Sequence, residues 1–126
     1  MKSYARIRIV WPKGAASATL RETPTARALV ACLPVKTKAQ TWGEEVYFEI
    51  PVAAKLEADA KQVVPPGTVC FWTEGKSLAL PWGRTRVSEG DEPRLVTRCN
   101  VLGAIDGDPR RLASVRGGDE VTVSLE

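Results

Sequence analysis

The sequence predicts a mainly β protein, a barrel or a sandwich, built as one domain over residues 1–126. Three observations predict it. Short segments alternate apolar and polar residues with a period of two. Turn residues punctuate them at short, regular intervals. Only two stretches carry helical spacing with good caps, and both are short. A barrel has the further merit of removing the exposed edges that seven or eight strands would otherwise leave.

The elements follow in order. YARIRIVW sets Ile7, Ile9 and Trp11 on one face and Arg6, Arg8 and Val10 on the other. PKG (12–14) breaks the run, and SATLRE alternates again with Ala18 and Leu20 together, so the pair reads as a hairpin. In TPTARALVACLP, Thr23 suits an N-cap and Pro24 the first helical position. Ala26, Leu29, Val30 and Leu33 then form one apolar stripe, and Pro34 stops the helix. Residues 35–43 are β-compatible and lead into the strand EVYFEI. Residues 52–64 have weak helical periodicity and poor caps, which predicts an irregular covering segment with a helical turn or two. TVCFW, TEGK and SLALPW read as strand, turn and strand, with Gly75 supplying the turn's dihedrals. Cys70 and Trp72 share one face, Val69 and Phe71 the other. Both faces are apolar, which places this strand centrally, covered on both sides. Pro81 suggests an edge or bulge in its partner. GRTRVSEGDEPR (83–94) is a long polar loop and RLVTRCNVLGAI a long strand. Asp108 and Pro109 open a short helix with Leu112 and Val115 facing inward, ended by Gly117 and Gly118. VTVSLE closes the chain with Val121, Val123 and Leu125 on one face.

Composition narrows the chemistry. There is no histidine. That removes Ser-His-Asp and Cys-His nucleophiles, His-ligated zinc and the usual general base near neutral pH. Any reaction must use carboxylates, Arg, Lys, hydroxyls or thiols. Cys32, Cys70 and Cys99 are too few and too widely spaced for a disulfide framework or a C-x-x-C site, and read as small buried hydrophobes. No cofactor and no metal is expected. The net charge of +3 comes from scattered basic residues, so a nucleic-acid partner is not expected. No apolar run reaches the length of a membrane span, and MKSYARIRIVW lacks the apolar core of a signal peptide. The expected compartment is the cytoplasm.

Five stretches taken together are distinctive: TWGEEVYFEIPV (41–52), PPGTVCFW (65–72), LALPWGRT (78–85), SEGDEPR (88–94) and NVLGAI (100–105). Through them the chain resembles the small cyclophilin-like proteins of bacteria and archaea, a group of generally unassigned function. The resemblance implies a closed eight-stranded β-barrel with two short helices capping its ends. True cyclophilins are peptidyl-prolyl isomerases that lower a rotational barrier of ~20 kcal/mol. In that family an Arg in a Phe-His-Arg-Val-Ile-Pro stretch hydrogen-bonds the proline nitrogen. The nearest stretch here, VYFEIP (46–51), has Tyr47, Phe48 and Glu49 where the isomerases have His, Arg and Val. The Gln-Gly-Gly-Asp and Gly-Ser-Gln-Phe-Phe stretches of the proline pocket are not recognisable.

The candidate site grows from TWGEEVYF (41–48). If Val46, Phe48 and Ile50 face the barrel interior, strict alternation puts Glu44 with them and Glu45 outside with Tyr47 and Glu49. Gly43 would turn the chain and fold Trp42 over the barrel mouth. The loop after Trp82 adds Arg84, Arg86 and Arg94 as forks for an anion, hydroxyls at Thr85 and Ser88, and acids at Glu89, Asp91 and Glu92. Asn100, inside a strand, needs partners for its amide and could tie down a neighbouring loop. The expected binding set is Trp42, Glu44, Trp82, Arg84, Thr85, Glu92 and Asn100. The expected role is non-catalytic binding of a small molecule or peptide. The alternatives are an altered prolyl isomerase in which Arg84 or Arg98 replaces the missing Arg, and an enzyme using Glu44 as general base with its pKa raised by burial.

Overall fold

The computed structural model describes residues 3–126. Ten strands form: β1 (Ala5–Trp11), β2 (Gly14–Leu20), β3 (Val35–Lys38), β4 (Gln40–Thr41), β5 (Glu45–Glu49), β6 (Lys61–Val63), β7 (Thr68–Trp72), β8 (Ser77–Pro81), β9 (Arg94–Ile105) and β10 (Glu120–Leu125). One α-helix, α1 (Pro24–Cys32), and one 3₁₀ helix, Pro109–Ser114, complete the chain. The sheet order is β3-β10-β1-β2-β9-β7-β8-β5-β4, with β6 added against β9.

Closure depends on residues 35–41. β3 pairs with β10, and after Ala39 the same stretch, now β4, pairs with β5. Ala39 itself donates to Asp119 O and accepts from Gly118 N, both at 2.8 Å. One bent strand therefore serves both ends of the sheet, and the nine strands of the path make eight staves when β3 and β4 are counted together. Inside lies the main core, including Ile7, Ile9, Leu20, Phe48, Phe71, Leu78, Leu80, Leu102 and Val123. Alternating residues on β1, β2, β5, β7, β8 and β10 supply most of it, as their period of two requires.

The helices cover the barrel's ends. Thr23 Oγ1 accepts from Ala26 N–H (3.0 Å) and Pro24 opens α1, which buries Thr25, Ala26 and Leu29. Asp108 caps the 3₁₀ helix through Arg110 N–H (2.9 Å) and Leu112 is buried beneath it. Among the described residues no helix is long and apolar enough to cross a membrane.

Four sequence expectations change. Residues 52–60 form no helical turn; a hydrogen-bonded turn near Glu57–Ala60 precedes the short strand β6. The positive φ in the 73–76 turn belongs to Lys76 (+48°), not to Gly75. Gly75 is required for space instead, since a Cβ there would sit 2.2 Å from the Trp72 ring. Pro81 marks no edge: β8 lies between β7 and β5, and Pro81 is its last residue. Leu125 keeps the phase of Val121 and Val123 but is 58% exposed, because the strand runs past the core.

Candidate functional site

The site forms on the outside of the barrel. β5, β8 and β7 are neighbours, and Tyr47, Ala79 and Cys70 stand in one cross-strand row. Side chains of that row point away from the main core. In most half-buried sheets such a face meets water. Here the first half of β9 brings Leu95 and Cys99 over it, and these residues form a second apolar cluster with Val64, Cys70 and Ala79. Tyr47, Trp72 and Val101 pack against its margin. Tyr47 and Trp72 meet edge to face, with ring centroids 6.3 Å apart and planes at 85°.

The cover is incomplete. A cavity of about 160 Å³ remains, lined by Trp42, Glu45, Tyr47, Trp72, Ala79, Leu95, Val96 and Cys99. Seven of these eight contribute apolar or aromatic surface, and the eighth is a carboxylic acid. Glu45 is only 6% exposed. Its Oε1 has no hydrogen-bond partner among the described residues. Burial penalises the charged form and pushes its pKa up to about 7. The two buried thiols beside it stay protonated. Burial, with smaller contributions from Glu45 and Glu74, pushes Cys99 up to about 12. Burial likewise raises Cys70, with smaller contributions from Cys99 and Glu45. Glu45 is thus the one group of formal charge on the cavity wall, and it titrates close to neutrality.

The residues selected from the sequence are brought together only in part. Glu44 is exposed and does not point into the barrel. Gly43, at φ +61°, and Glu44 form the bend ahead of β5, so strand alternation starts one residue later than the expected phase. Glu44 serves instead as a staple between two turns. Its backbone carbonyl accepts from Trp82 and Gly83, its N–H donates to Arg84 O (2.8 Å), and its Oε1 accepts from Arg84 N–H (2.9 Å). The carboxylate lies so close over Gly83 that a Cβ there would be 2.4 Å away. Trp42, Glu44, Trp82 and Arg84 therefore do converge, yet only Trp42 lines the cavity. Trp82 packs against the main core and faces a separate groove at the barrel mouth with Leu112 and Val115; Glu45 borders that groove too.

Thr85 and Glu92 organise the polar loop. Thr85 is buried; its N–H donates to Ser88 Oγ (2.9 Å) and its Oγ1 donates to Arg94 O. The Glu92 carboxylate accepts from the N–H groups of Glu89 (2.9 Å) and Gly90 (2.7 Å) and from Arg94 Nε (2.9 Å), which together hold its pKa down at about 2. Asn100 lies elsewhere, fully buried near α1. Its Nδ2 donates to Thr25 Oγ1 (3.0 Å) and Lys55 O (2.9 Å), and its Oδ1 accepts from Glu57 N–H (2.7 Å). It ties residues 55–57 to β9, the loop-fastening role its position in a strand suggested.

The outward direction of Glu45 was legible; its burial was not. The missing step was available in TVCFW. An apolar outer face on β7 calls for a cover, and a neighbouring outward residue on β5 shares that cover. Trp72, taken with the core strand, belongs to the cavity wall for the same reason.

A family model described as cyclophilin-like matches residues 5–124. The chain belongs to the cyclophilin-like family. The solution structure of a hypothetical protein from Archaeoglobus fulgidus is similar to it, with a TM-score of 0.85 and 33% identity, covering 100% of this chain and 98% of that one. No curated protein matches it. In this cyclophilin-like barrel Phe48, which stands where the resemblance of VYFEIP would put the isomerases' Arg, is 1% exposed and packed inside. Arg84 and Arg98 do not line the outer cavity, and Arg84 Nη1 donates to Gly90 O (2.5 Å).

Proposed function

We propose that this cyclophilin-like domain is a non-catalytic binding module for a small molecule or a peptide side chain, received in the outer cavity between Trp42, Tyr47 and Trp72. The observation that carries the reading is the unpartnered Glu45 carboxyl group in an otherwise apolar wall. Buried polar groups are nearly always hydrogen-bonded, and an orphan is a functional candidate when it faces a cleft. A few polar atoms in a largely apolar, aromatic lining are the general pattern of ligand sites. The volume is smaller than that of a drug-sized pocket, which runs to roughly 300 Å³ or more. It suits one head group or side-chain tip, with the rest of the ligand outside.

A carboxylate enzyme is the second reading, favoured by the Glu45 pKa of about 7. The base expected at Glu44 would then be Glu45. The lining offers no array of N–H donors, no Lys and no Arg to stabilise developing charge, and binding without turnover is the better-supported function.

Fragment titration followed by amide and indole NMR shifts tests the proposal. Fragments of head-group size should shift Trp42, Trp72, Val96 and Cys99 together, and Trp42→Ala should abolish the response. Shifts confined to the Leu112–Val115 groove, or none at all, would contradict it.

A further inference from the structure

We propose that the group received by the outer cavity is an organic cation, a methylated ammonium or a guanidinium, held between the aromatic walls with its charge against the Glu45 carboxylate. This rests on the reading of the cavity as a binding site and names the chemistry of its occupant.

Three observations converge. The first is the orphan oxygen. Glu45 is buried, lines the cavity and leaves Oε1 without a donor. A neutral apolar guest would leave it so, and an anion would be repelled. A cation satisfies it and offsets the cost of ionising it in a dry site. The second is the wall. Trp42, Tyr47 and Trp72 supply three of the eight lining residues. Aromatic rings attract cations through their quadrupole, by ~2 kcal/mol or more when desolvated, and quaternary ammonium groups are recognised in this way. The third is charge balance. No Lys or Arg lines the cavity to occupy Glu45 from within. The other titratable groups around it are Tyr47 on the same strand, Cys70 on β7, Cys99 on β9 and, on the mouth groove that Glu45 also borders, Arg116, which lies outside the cavity; both thiols are held neutral by burial. The volume, about 160 Å³, is close to the ~150 Å³ of an apolar cavity that accepts one benzene molecule. A tetramethylammonium or methylguanidinium group is of that order.

The pH dependence follows. The cation binds ionised Glu45, whose pKa lies at about 7 in the empty site. Affinity should rise by about tenfold from pH 6 to pH 8, as the ionised fraction grows from about one tenth to about nine tenths.

The test is a titration of the intact protein with tetramethylammonium, methylguanidinium and neutral tert-butanol, read by NMR shifts at Trp42, Trp72 and Val96. The two cations should bind at this site and tert-butanol at least tenfold more weakly. Glu45→Gln should weaken the cations tenfold or more and leave tert-butanol unchanged. The pH series on the unaltered protein gives the same answer without relying on a variant. Blocked arginine and blocked trimethyllysine then separate the sources. Tighter binding than the free cations assigns the cation to a peptide side chain; equal or weaker binding assigns it to a free small molecule. If tert-butanol binds as well as the cations and Glu45→Gln has no effect, the cation assignment is wrong while the binding site stands. If no probe shifts these residues, both fail.

Discussion

At the scale of the residue, Glu45 dominates. A carboxyl group with an ordinary pKa of 4.5 and a folded value of about 7 binds its proton more tightly in the native state. Its contribution to stability is therefore complete below pH 4.5 and is lost as pH rises through 7; above that the penalty is constant. The shift corresponds to roughly 3 kcal/mol. Glu45→Gln cannot ionise, so the variant should lack this loss. The difference in unfolding free energy between the two proteins, measured in urea at a series of pH values, should change by about that amount between pH 4.5 and 7, in favour of the variant at the alkaline end. A pH-independent difference would show that Glu45 reaches solvent. The sequence disclosed this residue only halfway. Its direction follows from alternation, but a period of two says which side of a strand a residue takes, not what covers that side. Glu44 shows the converse limit. It precedes the strand, so the alternation did not apply to it. The Asn100 amide was readable because a polar amide in an apolar strand has to find partners, and three of its hydrogen bonds do so.

At the scale of the element, β9 joins the outer cluster to the barrel wall. Its 12 residues pair with β7 over Asn100–Ala104, with β2 at Gly103–Ile105 and with β6 near Cys99 and Arg94. The first half covers the outer face and makes the cavity; the second half joins β2 to β7 in the barrel wall. The boundaries of this strand, of α1 and of the β1–β2 hairpin could be read closely because alternation, caps and turn residues agree there. Residues 52–64 could not, because their fold follows from contacts with β9 and not from a local pattern. Gly103 is the tightest point. A Cβ there would lie 2.0 Å from Thr19 O and 2.9 Å from Leu20 Cα, on the backbone of β2. Backbone cannot rotate aside as a side chain can, so Gly103→Ala must part β2 from β9. A loss of ~3 kcal/mol is expected, at the upper end of overpacking costs. It should lower the urea midpoint and speed amide exchange at Arg21 and Asp106, whose N–H groups donate to Leu102 O and Ser17 O across this junction; a midpoint equal to that of the unaltered protein would contradict the pairing.

At the scale of the molecule, the barrel is a frame with two kinds of interior. The inner core is closed, capped at its ends and filled with apolar side chains. The outer cluster is small, covered from one side and open enough to admit a guest. Barrel closure was legible as a class, since many short strands must hide their edges. The way it is achieved, by one bent strand that changes partners at Ala39, was not, because the exchange depends on residues far apart in the chain. The central claim is that the outer cover dries the cavity enough to hold an unpartnered acid. Titration of the Glu45 side-chain carboxyl carbon by NMR tests it most directly. A midpoint near 7 is the predicted result, moving down when a cation is bound. A midpoint near 4.5 in the empty protein would show a solvated carboxylate and would contradict the account.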